Sequence, residues 1–157
     1  MIARAWRSVE DALLVVLLLA LVLFAGVQIG ARNLFDGGWI WGEQLIRVGV
    51  LWVGLLGAVV ASREDRHLRI DLVPRLLPER GRLAAGAVAH AVTAAVCAVI
   101  AWHAARFVAG EQEFGSGGIG DVPGWVLLVV MPVAFALMAV RHVVHAARAG
   151  LIAARSR

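Results

Sequence analysis

Hydrophobic residues gather along the chain into four long runs, which short polar segments separate. Each run comes close to or exceeds the roughly 20 residues that an α-helix needs to cross a hydrocarbon core of about 30 Å. The pattern therefore predicts four membrane-spanning helices, at about 12–31, 45–61, 83–109 and 122–140. Little sequence remains outside these helices, so we expect residues 1–157 to form a single all-α membrane domain with no room for a soluble catalytic domain.

The segment between the second and third spans has a different pattern. Residues 64–80 interleave aliphatic side chains with arginines, and Pro74 and Pro78 exclude one long regular helix. Apolar residues in the acyl boundary with arginines at the headgroups are typical of a short helix in the membrane interface. We therefore expect such an interfacial helix here. The candidate residues of this segment are His67, Arg69 and Asp71.

The four spans differ in the side chains they present. The first is bulky and aliphatic, too long for a signal peptide and without a clear cleavage site, so we expect a retained helix that contacts lipid. In the second, Gly54, Gly57, Ala58 and Ala61 recur at i, i+3, i+4 and i+7, so they share a face that a neighbouring backbone approaches closely. Pro132 predicts a kink near the middle of the fourth. The small-residue face of the second span indicates that the chain is a subunit of a larger assembly.

The distribution of arginine predicts the orientation. The chain has 15 basic residues, all arginine, against 11 acids. Twelve arginines lie in the N-terminal segment, the second loop and the C-terminal segment, whereas the glycine-rich third loop, 110–121, has three acids and no arginine. By the positive-inside rule, both termini and the second loop are cytoplasmic. Because these arginines adjoin apolar spans, we expect them to hold one side of a bilayer and not to bind nucleic acid.

Charge lies at the start of the second span, close to the predicted outer interface. Glu43 and Arg47 are spaced i, i+4 with the acid N-terminal, the favourable orientation for a helical ion pair. Either Arg47 extends to the interface and pairs locally, or one or both residues face a partner subunit, since charges near a membrane tend to mark contacts. Gln44 is able to hydrogen-bond across a helix interface in either case.

Histidines raise the alternative of a haem b-binding anchor subunit of a respiratory complex. His90 and His103 lie 13 residues apart in the third span, a spacing like that of two-haem cytochrome b anchors. Near the outer face no second histidine is available for His103, which excludes two bis-histidine haems. Near the inner face His142 and His145 meet His90 only if the fourth helix is deeply inserted, so a one-haem site stays open.

The sequence has no nucleophile–base arrangement, phosphate loop or cysteine cluster. Its single cysteine, Cys97, lies inside the third span and is expected to be a small core residue. His67 has acids nearby but lacks the tighter constellation of a metal site. We therefore expect no enzymatic activity, no cofactor and no bound metal.

Several short motifs in a fixed order resemble the small membrane subunit of tripartite ATP-independent periplasmic (TRAP) transporters, the DctQ-like family. The motifs extend over most of the chain: RNLF at 32–35, W-x-E-Q-x-x-R at 41–47, LWVGLLGA at 51–58, HLRID at 67–71, LLP at 76–78, VPGW at 122–125, Met131, Pro132 and Arg141. The family often has two adjacent acids in the second motif, and Gln44 stands here in place of the second. The resemblance is therefore not used to assign an ion pair between Glu43 and Arg47.

The resemblance implies a sodium-coupled importer of small carboxylates in a bacterial inner membrane. In that system the small subunit is a scaffold beside a large membrane subunit, which carries the substrate and sodium sites, and a periplasmic substrate-binding protein delivers the solute. The candidate subunit-contact residues are Trp41, Glu43, Gln44, Arg47, Gly54 and Gly57, and residues 111–121 are further candidates for contact with the binding protein.

Overall fold

A computed structural model describes residues 2–35, 39, 41–63, 79–115 and 117–155 of the chain. Within them the backbone is almost entirely helical. The elements in order are α1 (Ile2–Phe35), α2 (Gly42–Arg63), α3 (Glu79–Phe114), β1 (Gly118–Ile119), β2 (Val122–Pro123), α4 (Gly124–Leu128) and α5 (Val130–Arg155).

Four segments of the described helices are long and apolar enough to cross a membrane: Glu10–Leu34, Gly42–Ser62, Ala84–Phe114 and Gly124–Ile152. The predicted all-α fold with four spans is thereby confirmed. The last segment continues well beyond residue 140, because the helix does not end at the first arginine after the apolar run. The predicted interfacial helix at 64–80, with His67, Arg69 and Asp71, lies outside the described residues except for its last two positions, where α3 begins.

The last apolar segment is not one continuous helix, because α4 ends at Leu128 and α5 begins at Val130. Pro132 is the third residue of α5, so it does not lie in the middle of one continuous helix. The interruption falls at Val129, whose φ of −56° and ψ of −27° remain helical. Proline has no N–H to donate to the carbonyl four residues earlier, which weakens the helix at this point. The carbonyl of Leu127, one residue before the one that Pro132 leaves without a donor, accepts a hydrogen bond of 2.8 Å from Trp52 Nε1 of α2.

The helices form two compact units, and the first comprises Met1–Val60 and Arg106–Val130. Here α2 approaches α1 through glycine. A side chain added at Gly49 would lie 2.6 Å from Leu21 Cδ1, so the absence of a Cβ permits the close approach. The bulky side chains of α1 are largely exposed, and none of its apolar span is buried. This exposure suits a helix that contacts lipid or another subunit.

The second unit comprises Ala61–Ala105 and Met131–Arg157. Its core consists mainly of small side chains from α3 and α5, which allow helix backbones to pack closely. The buried residues are Ala94, Cys97, Ala104, Ala134, Met138 and Ala139, with the polar Ser62 and His142. Two polar side chains therefore lie within an otherwise apolar core.

Candidate subunit-contact surface

Three aromatic rings fix the chain where it enters α2. Trp39 and Trp41 stack on Phe24 of α1, with ring centroids 6.1 and 5.9 Å away, and on each other at 5.9 Å. Stacked aromatic pairs at this spacing add roughly 0.5–1.5 kcal/mol beyond the area they bury. These three residues, the aromatic cluster, attach the start of α2 to α1.

A hydrogen-bonded contact reinforces this attachment. The carbonyl of Trp39 accepts hydrogen bonds from Gln28 Nε2 and from the backbone N–H of Gly42, each 2.9 Å long. A Cβ at Gly42 would lie 2.6 to 2.8 Å from all three atoms of the Gln28 amide. Only glycine therefore fits at the first position of α2 without displacing that amide. The N-terminus of α2 is held in place by α1.

The predicted ion pair forms on the first two turns of α2. Arg47 Nη2 donates to Glu43 Oε1 at 2.5 Å, and the two side chains remain 76% and 67% exposed. The carboxylate lies in the first turn of the helix, where the helix dipole favours negative charge. Gln44 is exposed beside the pair. The pair is local within this chain, and both of its members are accessible to a second molecule.

The small-residue face of α2 divides into two parts. A Cβ at Gly57 would contact Leu14 Cδ1 of α1 at 3.7 Å, whereas a Cβ at Gly54 would meet no atom within 4 Å. Gly54, Ala58 and Ala61 are all exposed. Gly54 lies about 10 Å along the helix from Arg47, so the structure does not bring the two together. Gly57 faces α1, and the rest of the face is open.

The predicted third loop contains a short hairpin. Helix α3 continues to Phe114, after which Ile119 of β1 pairs with Val122 of β2 across a two-residue turn. Gly120 begins the turn with a φ of +59°, which the turns of two-residue hairpins require and which favours glycine. The hairpin borders a polar cleft of about 320 Å³, whose lining includes Glu111 and Asp121. Two of the three acids of this loop, Glu111 and Asp121, therefore line a polar cleft.

Sequence reasoning missed the contribution of α1 to this surface. It treated the first span as a lipid-facing helix, whereas Phe24 and Gln28 hold the start of α2. These residues are spaced i, i+4 on one face, and Gln28 is a polar residue within an otherwise apolar run. That isolated glutamine was the available signal, because a polar side chain in a span usually has a partner on another helix.

The histidines of the second unit meet, as the haem alternative required. His90 Nδ1 and His142 Nδ1 are 3.1 Å apart. Two metal–nitrogen bonds of about 2 Å each would place axial imidazole nitrogens on opposite sides of a haem iron roughly 4 Å apart. The observed pair is too close for an iron between the two rings. The haem-anchor alternative is therefore not supported.

Four apolar helices with an exposed ion pair and an open small-residue face define a multi-pass membrane subunit. The family model described as "Tripartite ATP-independent periplasmic transporters, DctQ component" matches residues 19–150. The chain belongs to this family. It is a small membrane subunit of a TRAP transporter, located in the inner membrane, and the family is one of transporter subunits, not enzymes.

Curated relatives agree with this assignment. The chain is 30% identical over 83 residues to the "Sialic acid TRAP transporter small permease protein SiaQ" of Vibrio cholerae, covering 53% of this chain and 48% of that protein. It is 28% identical over 116 residues to the "Sialic acid TRAP transporter permease protein SiaT" of Haemophilus influenzae, covering 74% of this chain and 19% of that protein. The "Isethionate TRAP transporter permease protein DctMQ" of Oleidesulfovibrio alaskensis is 23% identical over 103 residues, 65% of this chain and 16% of that protein.

The chain thus spans about a fifth to about half of the length of the first two relatives. In the Haemophilus and Oleidesulfovibrio proteins the matched segment is a small part of a much longer permease polypeptide.

Proposed function

We propose that this chain is the membrane scaffold on which the large subunit of a TRAP transporter is held. The large subunit carries the solute and sodium sites, and a periplasmic substrate-binding protein supplies the solute. The exposed Glu43–Arg47 pair on a firmly attached helix start is the observation that carries this proposal. A charged pair fixed in position by a neighbouring helix offers a partner a preorganised contact, which lowers the ordering cost of binding.

The second support is the open part of the α2 face. Gly54, Ala58 and Ala61 are exposed in this chain, although small residues in a span usually serve close helix contacts. A helix of the large subunit packs here in the proposed assembly. This face and the ion pair belong to the same helix, so a single partner is able to contact both.

The orientation places the termini in the cytoplasm, as the arginine distribution indicates. The Glu43–Arg47 pair and the hairpin with Glu111 and Asp121 then lie on the periplasmic side. The polar cleft beside the hairpin is a contact for the binding protein in this arrangement, because its acidic lining suits basic side chains.

The transported solute is a small organic acid, and a carboxylate is the class we propose. Two of the relatives are named for sialic acid, which is a carboxylate, and the third for isethionate, which is a sulfonate. Transport is driven by a sodium gradient. The choice among solutes lies with the binding protein and the large subunit.

The test is reconstitution of this chain with its large subunit and binding protein in proteoliposomes. Uptake of a labelled carboxylate must require an inward sodium gradient and all three proteins. Arg47→Leu is expected to reduce both uptake and co-purification of the large subunit, whereas Arg106→Leu, an equal loss of charge at an exposed position of α3, leaves both unchanged. Sodium-driven uptake that persists without this chain would contradict the scaffold role.

A further inference from the structure

A group of three histidines lies in the second unit. His90 of α3 faces His142 and His145 of α5, with ring centroids 5.4 Å from each, and the last two centroids are 6.3 Å apart. His142 is 4% exposed, and the other two side chains are half-buried. These three residues, the histidine cluster, lie within the apolar segments of their helices. Ionisable residues within membrane spans are costly and tend to be functional.

The spacing of the rings is close to that of histidines around one tetrahedral ion. Zinc–nitrogen bonds of about 2.0–2.1 Å at tetrahedral angles place two ligand nitrogens about 3.3 Å apart and two ring centroids about 5.2 Å apart. The nitrogens of His90 and His142 are 3.1 Å apart, and two of the three centroid distances are 5.4 Å. A haem iron does not fit because its two axial nitrogens lie on opposite sides of the iron, roughly 4 Å apart. Two nitrogens bound to a tetrahedral ion are closer together, at about 3.3 Å.

Small side-chain rotations are needed to complete the arrangement, in which the nitrogens of His90 and His142 open toward a common point and His145 turns toward it. Among the described residues, no three histidine, cysteine or acidic side chains already surround a metal position. His90 Nδ1 and His142 Nδ1 face each other at hydrogen-bond distance, and the ring centroid of His145 lies 5.4 Å from that of His90. His145 is half-buried, so part of its side chain is not enclosed by neighbouring atoms. Because His142 and His145 are spaced i, i+3, they share the face of α5 that meets His90.

We propose that the histidine cluster binds a divalent transition-metal ion of the zinc class and thereby ties α3 to α5. Three neutral imidazoles suit zinc, copper or nickel, while magnesium and calcium require oxygen ligands. Water occupies the fourth position of a tetrahedral ion held by three histidines. The ion replaces the His90–His142 hydrogen bond with bonds to both rings. This inference is independent of the proposed scaffold function.

The test is zinc binding to the full chain, purified in nanodiscs with an affinity tag that contains no histidine. After removal of metal with a chelator, zinc is titrated in competition with a chromophoric chelator. We expect one ion per chain, and an affinity at least about tenfold weaker in His90→Gln, His142→Ala and His145→Ala. His145→Ala keeps the His90–His142 hydrogen bond, so its loss of binding cannot be attributed to loss of that contact.

The matched control removes the two histidines outside the cluster. The double variant His67→Ala, His103→Ala retains only the cluster and is expected to bind zinc as the unaltered chain does. Cobalt bound in place of zinc is expected to give the visible absorption of a tetrahedral site. The proposal is overturned if the unaltered chain binds no zinc, if the cluster variants bind it with full affinity, or if the double variant loses it. The last result would place the ion elsewhere.

Discussion

Arg47 is the residue at which the scaffold proposal is most directly tested. Its guanidinium is bonded to Glu43 within the same helix, and the side chain is 76% exposed. Arg47→Leu removes the charge and keeps an apolar side chain of helix-forming character at the membrane interface. The substitution therefore separates the role of the charge from that of the helix.

The expected magnitudes distinguish a local pair from a subunit contact. An exposed i, i+4 ion pair contributes only about 0.2–1 kcal/mol, so its loss changes the stability of this chain little. A charge that becomes buried and hydrogen-bonded in an interface costs about 2–5 kcal/mol when its partner is removed. The lower of these values corresponds to about a 30-fold weaker association. We expect Arg47→Leu to weaken binding of the large subunit by at least this factor while leaving insertion unchanged.

Binding is measured as the dissociation constant between this chain and the large subunit, each in nanodiscs or mild detergent. Membrane insertion is measured in parallel by the amount of protein recovered from the membrane fraction. A double-mutant cycle with Glu43→Gln completes the test, since a purely local pair gives a small coupling energy and no effect on the partner. A dissociation constant within about threefold of the unaltered chain would show that Arg47 acts only within its own helix.

Three other predictions concern the packing of the helices and their orientation. Gly42→Leu displaces the Gln28 amide and is expected to lower the free energy of unfolding in mixed micelles by about 1–3 kcal/mol. Gly54→Leu adds a side chain where no atom lies within 4 Å. It is expected to leave the free energy of unfolding unchanged and to weaken binding of the large subunit. Equal effects of the two on unfolding would contradict this reasoning. Trp52→Phe removes the donor to the α4 carbonyl and is expected to cost about 0.5–1.5 kcal/mol, while the exposed Trp102→Phe costs less in the same assay. A reporter that is active only in the cytoplasm is expected to be active when fused to the C-terminus. Activity of a periplasmic phosphatase at that position would instead reverse the proposed orientation.

Local patterns in the sequence were sufficient for the helices and for the ion pair. Glu43 and Arg47 are four residues apart, and helix geometry alone places such side chains side by side. The spans could be predicted because their length and hydropathy are properties of each segment by itself. Helix α5 continues past residue 140, the predicted end of the fourth span, and its His142 meets His90 of α3.

Contacts between helices could not be predicted in the same way. Gln28 and Trp39 are 11 residues apart, and Trp52 and Leu127 are 75 apart. Whether such residues meet depends on the rotation and axial position of one helix against another. A shift of one residue along an α-helix moves its side chain by about 1.5 Å and turns it by about 100°. Hydropathy carries no information about that register.

The sequence by itself therefore determined four spans and membership of a transporter family, and its arginines predict a side of the membrane for each loop. The tertiary structure decided which side chains form the candidate contact surface at the start of α2 and which form the histidine cluster. It attached the start of α2 to Phe24 and Gln28 of a helix expected to contact lipid. It also brought His90 to His142 from a separation of 52 residues. The physical reason is that helix formation is local, whereas the meeting of helices depends on the packing of whole faces.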